Sequence, residues 1–174
     1  MTRVYDFPRP EHASATETAI VDVTVLATTD LHAHLFPFNY YTDQRDDTVG
    51  LAGIAARIGD LGVIPENCVL VDNGDTLQGA PLGEVTVAAG NADPQRTRPH
   101  PMIAAMNAMN YDAATLGNHD FDFGLGVVRQ AVADARFPVV LANARLADGG
   151  EFLPGHVVLR RTVTDRAGRQ HPFR

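Results

Sequence analysis

The sequence lacks the disulfides that stabilise many small secreted proteins and the long apolar runs that cross membranes. Its single cysteine, Cys68, excludes an internal disulfide. No apolar run is long enough to span a bilayer. The first 19 residues carry prolines and charges where a signal peptide needs a continuous apolar segment. The sequence as it stands therefore predicts a cytoplasmic protein, or a periplasmic or secreted one if a leader was removed.

Basic residues are also scarce. Lysine and arginine together number 14, against 21 aspartates and glutamates, and the formal net charge is -7. This charge argues against a nucleic-acid groove or an anionic membrane as partner, although metal ions could still hold a small phosphorylated substrate. Apolar residues, in contrast, make up 45% of the 174 residues, enough for one domain or part of one.

The apolar pattern predicts an α/β protein. After a loose N-terminal arm over residues 1–19, the alternation in IVDVTVLATTD predicts a strand that ends at Asp30, followed by a long loop. Helices are predicted at 51–61, 102–110 and 125–135, strands at 68–72, at 137–144 and just before TLGNHDFDFG, and a closing hairpin with its turn at 165–168. Strands that alternate with helices imply βαβ units and a mostly parallel sheet.

Polar side chains follow three of these strands at the point where each strand ends. Asp30 and His32 follow the first strand, Asp75 follows the second, and Asn118 with His119 follows the third. Because ligands bind beyond the carboxyl ends of parallel strands, we expect these loops to converge although they are far apart in sequence. Each motif alone is also a common turn, but the three in order favour a site.

The residue types are those of a metal site with oxygen and nitrogen ligands and no thiolate. Carboxylate, imidazole and amide carbonyl groups suit divalent manganese, zinc, iron, cobalt or magnesium. The two oxygens of Asp75 could bridge two ions about 3.5 to 4 Å apart, the spacing of metal pairs in phosphoryl transfer. His119 would then be the general acid, and Asp122 would hold its imidazole in one tautomer.

Other polar residues are predicted to stand outside this chemistry. The long loop after the first strand, LHAHLFPFNYYTDQRDDTVG, contains several aromatic residues and is called the aromatic loop. His34 is expected to pair with this loop, Asp72 to cap the end of its strand, and Asp120 to be solvated. The histidines in polar or proline-rich surroundings are predicted to lie on the surface: His12, His100 and His171. Gly155 and His156 are interpreted as structural residues that open a strand.

Three blocks, TTDLHAH, LVDNGDTLQGAPL and TLGNHDFDFGL, resemble the first three motif blocks of the calcineurin-like metallophosphoesterases. Within that family the chain is most similar to the branch of the 5′-nucleotidases and the bifunctional 2′,3′-cyclic-nucleotide 2′-phosphodiesterase/3′-nucleotidases. The stretch DLHAHLFPFNYYTD followed by GLAGIAARI resembles the bifunctional enzymes more than the 5′-nucleotidases. The resemblance runs from about Val21 onward and implies the N-terminal part of an αββα sandwich, with a mostly parallel sheet and crossover helices.

The resemblance also implies a two-metal hydrolase of nucleotide phosphoesters, with 2′,3′-cyclic nucleotides and 3′-nucleotides as substrates. The roles implied at matching positions are first-metal ligands at Asp30 and His32, a bridging ligand at Asp75, a second-metal ligand at Asn118, and a catalytic dyad of His119 and Asp122. A 5′-nucleotidase or a thiosulfate-ester hydrolase of the same branch is the alternative among enzymes.

The sequence departs from the family's pattern in what it lacks. The family's later ligands, a lone histidine and a GHxH block, have no counterpart up to Arg174, and neither has its C-terminal nucleotide-binding domain. Residues 20–174 are therefore interpreted as a partial catalytic domain, expected to bind metal weakly and to self-associate through exposed apolar sheet surface. The alternative outside the enzymes is a truncated metal-binding or interaction domain.

Overall fold

A computed structural model of the chain describes residues 19–92 and 98–173. Apart from Ala19, the predicted N-terminal arm lies outside the described residues, and so does His12. The strands are β1 (Thr24–Thr28), β2 (Phe38–Asn39), β3 (Gln44–Arg45), β4 (Cys68–Asp72), β5 (Ala113–Thr115), β6 (Val139–Val140), β7 (Arg161–Thr164) and β8 (Gln170–Phe173). The helices are α1 (Leu51–Asp60), α2 (Pro81–Ala92), α3 (Pro101–Ala108) and α4 (Leu125–Asp134), with short 3₁₀ helices at Pro65–Asn67 and His119–Phe121. None of the helices within the described ranges has the length and apolar character needed to cross a membrane.

A four-stranded parallel sheet, in the order β1-β4-β5-β6, confirms the predicted α/β class. Leu26 of β1 pairs in register with Leu70 of β4, and both side chains pack in the hydrophobic core. Helices complete this core with fully buried side chains, Leu51 at the start of α1 and Met102 and Met106 in α3. Since the four strands run in the same direction, their carboxyl ends meet at one edge of the sheet.

The opposite face of β1 is apolar and poorly covered. Val25 is 65% exposed, and Ala27 is also exposed. In register these residues neighbour Val69 and Val71 of β4, which are half-buried. The sheet therefore presents an apolar strip on this face, in agreement with the expected exposure of sheet surface.

The sequence does not predict α2 or the β2-β3 hairpin. The α2 segment PLGEVTVAAGNA contains glycines and β-branched residues. Because these residues have low helix propensity, the sequence of this segment does not indicate a helix. Pro81 at its first position is compatible with a helix because the first N–H groups have no helical partner. Short β2 and β3 pair within the predicted long loop.

Because β7 begins at Arg161 and residues 156–160 form no strand, the prediction that Gly155 and His156 open a strand is wrong.

The predicted hairpin is confirmed as β7 and β8, and its turn is built around a buried carboxylate. Asp165 accepts hydrogen bonds from the backbone N–H groups of Ala167 and Arg169 at 2.9 and 2.8 Å. The Nε2–H of His171 donates to the same carboxylate at 2.9 Å, and this bond leads the contacts that hold the pKa of Asp165 well below its usual range. The side chain of His171 is 35% exposed, so it lies at the surface as predicted, but its contact with the buried Asp165 was not predicted.

His100, in contrast, is a histidine that the sequence places wrongly. It is buried and caps the N-terminus of α3, where its Nδ1 accepts the backbone N–H of Met102 at 3.3 Å. Burial lowers the pKa of His100 to about 4. The proline next to it, which suggested an irregular surface segment, is the first residue of the helix that His100 caps.

Candidate active site

The loops that follow β1 and β4 run side by side at the carboxyl edge of the sheet. Backbone hydrogen bonds of 2.8 to 3.0 Å connect residues 30–33 with residues 74–76. Asp30, His32 and Asp75 have left-handed backbones, with φ of 55°, 46° and 58°. Such strain in residues other than glycine persists only where surrounding contacts impose it, and it is concentrated at functional sites. The paired loops impose it here on three predicted metal ligands.

These three side chains meet in one cluster. Asp30, His32 and Asp75 each offer a ligand atom, and the three atoms lie within 4.8 Å of one another. The distance from Asp30 Oδ1 to His32 Nε2 is 3.7 Å. Two carboxylates and an imidazole at this spacing fit a divalent cation. The predicted convergence of the first two motif loops is therefore observed.

A backbone carbonyl sets the orientation of the His32 ring. His32 Nδ1 lies 2.8 Å from the carbonyl oxygen of Gln78, which accepts only, so Nδ1 carries the hydrogen. The lone pair is then on Nε2, the nitrogen that faces Asp30. Histidines that bind metals are usually held by such a bond to the second ring nitrogen. Gln78 has no motif that marks it in the sequence, because it acts through its backbone.

Glycines allow the motif loops to approach so closely. A Cβ atom on Gly117 would lie 2.2 Å from Asp75 Oδ1, and one on Gly79 would lie 2.6 Å from the Cβ atom of His32. Neither position has room for a side chain. The glycines beside Asn118 and after Gln78 are therefore required by contact between loops.

His119 and Asp122 form a hydrogen-bonded pair beside the cluster. The Nδ1–H of His119 donates to Asp122 Oδ2 at 2.9 Å, and this bond is the main cause of a raised pKa of His119. The backbone N–H of His119 donates to Asp75 Oδ1 at 2.8 Å. The rings of His119 and His32 meet edge to face, with centroids 5.4 Å apart. The third motif loop thus reaches the first two.

Asn118 lies at the junction of this loop and the short helix His119–Phe121. Its backbone carbonyl accepts the N–H of Phe121 at 3.3 Å, while the next residue, His119, donates to Asp75. The structure thus places the backbone of Asn118 next to the cluster.

Asp120 is fully buried, so the prediction that it is solvated is wrong. Its carboxylate accepts four backbone N–H groups, at 2.8 to 2.9 Å, from residues 75–77 and from Gly117. Three of these donors come from more than 40 residues away in the chain. The motif block TLGNHDFDFGL contains Asp120 but does not reveal its role, because its partners are backbone groups that only the fold brings together.

Two other predictions about residues near the site agree with the structure. Asp72 caps the end of β4 by accepting the N–H of Gly74 at 2.9 Å and the hydroxyl of Thr28 at 2.6 Å. Burial raises the pKa of this carboxyl group. His34 packs against Tyr40 of the aromatic loop, with ring centroids 6.4 Å apart.

Known proteins resemble this chain over most of its length. It is 39% identical over 162 residues, or 92% of the chain, to the trifunctional nucleotide phosphoesterase protein YfkN of Bacillus subtilis, and it covers 11% of that protein. It is 37% identical over 92% of the chain to the 2′,3′-cyclic-nucleotide 2′-phosphodiesterase/3′-nucleotidase of Yersinia enterocolitica, of which it covers 24%. Human and snake-venom 5′-nucleotidases are more distant, 29% or 30% identical over 71% of the chain. The chain thus spans less than a quarter of the length of these curated relatives.

The fold agrees with these similarities. The crystal structure of the calcineurin-like phosphoesterase YfkN from Bacillus subtilis superposes with a TM-score of 0.81 at 38% identity, covering 87% of this chain and 46% of that one. No protein-family model matches the chain. Sequence identity, the parallel sheet and the motif loops therefore agree. Over the region that these relatives share with it, the chain belongs to the calcineurin-like phosphoesterases, and it is more similar to the 2′,3′-cyclic-nucleotide 2′-phosphodiesterase/3′-nucleotidases than to the 5′-nucleotidases.

Proposed function

We propose that this chain forms one side of the active site of a metal-dependent phosphoesterase that hydrolyses nucleotides. The observation that carries the proposal is the cluster of Asp30, His32 and Asp75, whose ligand atoms lie within 4.8 Å of one another beside the pair of His119 and Asp122. In hydrolysis of a phosphoester, water forms a bond to phosphorus and the ester oxygen leaves with a proton. A cation site next to a histidine held by a carboxylate would supply the positive charge and the proton donor for this reaction.

The proposed ligand set holds two divalent ions. Asp30, His32 and Asp75 would hold the first ion, and Asp75 with the side chain of Asn118 would hold the second. Bound ions would polarise the phosphoryl group and offset the negative charge that develops on its oxygens. The donors are carboxylate, imidazole and amide oxygen, so manganese, zinc, cobalt, iron and magnesium all fit their chemistry.

His119 is proposed to protonate the leaving oxygen. Its Nδ1–H is engaged with Asp122, which leaves Nε2 as the nitrogen that can deliver a proton to the leaving ribose oxygen. The carboxylate of Asp122 favours the charged imidazolium, as the raised pKa of His119 reflects. Asp122 is thus proposed to position His119 and keep it protonated.

The proposed substrates are 2′,3′-cyclic nucleotides and 3′-nucleotides. Relatives named for these activities are 37% to 40% identical to the chain, whereas the 5′-nucleotidases are 29% or 30% identical. A 5′-nucleotidase is therefore the second candidate. Residues 20–174 would be part of a catalytic domain, and we also propose that the apolar strip on β1 and β4 makes the chain self-associate.

Hydrolysis by the 174-residue chain tests the proposal. We expect manganese-dependent turnover of bis(4-nitrophenyl) phosphate, and a preference for 2′,3′-cyclic AMP and 3′-AMP over 5′-AMP. His119→Ala should lower turnover about 100-fold or more, the low end for loss of a general acid. His156→Ala, at an exposed histidine, is the matched control and should keep full turnover. Metal bound per chain is counted in the same preparations.

The outcomes separate the alternatives. Turnover of 5′-AMP alone would identify a 5′-nucleotidase. Metal binding without any turnover would favour a truncated metal-binding domain. Turnover that survives His119→Ala unchanged would contradict the proposed role of His119.

A further inference from the structure

The proposed chemistry leaves one carboxylate unused directly beneath the cluster. Asp120 is 0% exposed, and each of its oxygens accepts two backbone N–H groups. Oδ1 accepts from Thr76 and Leu77, and Oδ2 accepts from Asp75 and Gly117. An ionised carboxylate has about four acceptor sites, so all of them are taken. Asp120 therefore has no free lone pair for a metal ion or for a proton from substrate.

The four donors belong to the two loops that carry the proposed ligands of both ions. Residues 75–77 begin with Asp75, the proposed bridging ligand, and Gly117 directly precedes Asn118. One carboxylate thus holds both loops by charge-assisted hydrogen bonds, which are about twice as strong as neutral ones. A buried charge is costly unless it is fully hydrogen-bonded, and here the backbone meets that requirement.

A second bond between the same loops depends on this arrangement. Asp75 Oδ1 accepts the backbone N–H of His119 at 2.8 Å. That contact requires Asp75 to keep its left-handed backbone, with φ of 58°, and the N–H of Asp75 is itself held by Asp120. Releasing Asp120 would therefore loosen the link between the proposed bridging carboxylate and the loop of His119, while the Asp75 loop stays bonded to the Asp30 loop.

We propose that Asp120 is a positioning residue that sets the spacing of the metal ligands by tying the Asp75 loop to the Asn118 loop. This inference rests on the proposed function, because it assumes that these residues bind metal. It goes beyond that function in assigning the spacing of the site to a residue that touches neither metal nor substrate.

Manganese affinity without substrate tests this inference. Asp120→Asn keeps the size of the side chain but turns one acceptor oxygen into an NH₂ group, which would face two N–H donors. We expect the Kd for Mn²⁺, from titration of the 174-residue chain, to rise about 10- to 100-fold, the usual effect of removing a residue that supports metal ligands. Asp165→Asn is the matched control, because Asp165 is also buried and also accepts backbone N–H groups, but in the β7-β8 turn. Its Kd should change less than about 2-fold, and an unchanged Kd in Asp120→Asn would overturn the inference.

Amide hydrogen exchange gives a second readout in the metal-free protein. In the wild type, we expect the amides of residues 75–77 and Gly117 to exchange as slowly as those in the centre of β4. In Asp120→Asn they should exchange faster, while the β4 amides stay protected. If Asp120→Asn does not fold, Asp120→Glu, which keeps both acceptor oxygens, replaces it. Manganese affinity and protection of the four amides should move together in every variant that folds, and wild-type affinity beside lost protection would overturn the inference.

The two proposals can fail separately. A chain that binds Mn²⁺ in a manner dependent on Asp120 but hydrolyses no nucleotide would contradict the proposed function and support the inference. A chain that hydrolyses nucleotides, but whose Mn²⁺ affinity does not depend on Asp120, would support the proposed function and contradict the inference.

Discussion

Two histidines of this chain have pKa values shifted in opposite directions by their surroundings. His119 lies partly exposed beside Asp122, and that hydrogen bond raises its pKa. His100 is buried at the start of α3, and burial lowers its pKa to about 4. Its Nε2 is the one buried side-chain nitrogen or oxygen without a hydrogen-bond partner among the residues that the structure describes. Protonating His100 would therefore place a charge in a buried position, where the cost of desolvation exceeds the stabilisation that Asp120 and the backbone of Leu77 provide.

His100 should make the fold sensitive to mild acid. As pH falls below about 6.5, His100 becomes protonated in the unfolded chain, whereas in the folded chain it stays neutral until about pH 4. The free energy of unfolding therefore decreases between these two pH values. The loss would approach about 3 kcal/mol at the lower end, at 1.36 kcal/mol per pH unit. His100→Asn keeps an acceptor for the N–H of Met102 but cannot titrate. Denaturant unfolding from pH 7.5 to about 4.5 should show a smaller acid loss in this variant than in the wild type or in His156→Asn. Equal losses in all three proteins would contradict the role of His100.

At the scale of elements, the site depends on how closely three loops pack at the carboxyl edge of the sheet. The patterns of the strands predict which loops meet there, because the carboxyl ends of parallel strands lie together. The left-handed backbones of Asp30, His32 and Asp75 and the bonds to Asp120 come instead from contact between loops. Gly117 illustrates the difference, since its turn looks ordinary in sequence yet has no room for a Cβ atom.

Gly117→Ala should therefore disrupt the site. Its Cβ would lie 2.2 Å from Asp75 Oδ1, and relieving that overlap must shift one of the two loops. We expect a loss of about 1–3 kcal/mol in the free energy of unfolding, typical of overpacking, and weaker Mn²⁺ binding. The matched control is Gly126→Ala in α4, where a Cβ meets nothing within 4 Å and alanine should stabilise the helix by about 0.5–1 kcal/mol. Thermal unfolding and Mn²⁺ titration of both variants test the pair, and Mn²⁺ binding as in the wild type by Gly117→Ala would contradict this account.

At the scale of the whole molecule, helices of the described residues pack on only one face of the sheet. Helices cover Leu26 and Leu70, whereas Val25 and its neighbours on the other face remain largely uncovered. The chain also corresponds to 46% of the YfkN crystal structure that it matches. An apolar strip that the described residues leave partly exposed is expected to bury itself against a second copy.

Val25→Thr tests this expectation at an exposed position of the strip, since Val25 is 65% exposed. We expect the average mass of the wild type, from light scattering over a concentration series, to rise with concentration. The rise should be weaker in Val25→Thr, which keeps a β-branched side chain suited to a strand but is less apolar. Val158→Thr is the control, because Val158 is 57% exposed and lies outside the sheet. A constant monomer mass in the wild type would contradict self-association.

The sequence by itself determined the α/β class and the residue types of the candidate site. Alternating strands and helices specify a parallel sheet, and Asp30, His32, Asp75 and His119 follow its strands at positions that any such sheet brings to one edge. These signals are local, so they can be read one segment at a time.

Only the tertiary structure decided how the polar groups around these residues are used. Asp120 and His100 look like residues of solvated turns, yet both are buried against groups supplied by the folded chain. His171 is partly exposed, but its bond to the buried Asp165 was not predicted either. Burial and backbone hydrogen bonds between distant loops depend on the path of the whole chain, whereas the local pattern of polar and apolar residues does not record that path. The residues expected to do the chemistry and the local partner Asp122 could therefore be predicted from sequence, but the distant supports, Asp120 and the carbonyl of Gln78, could not.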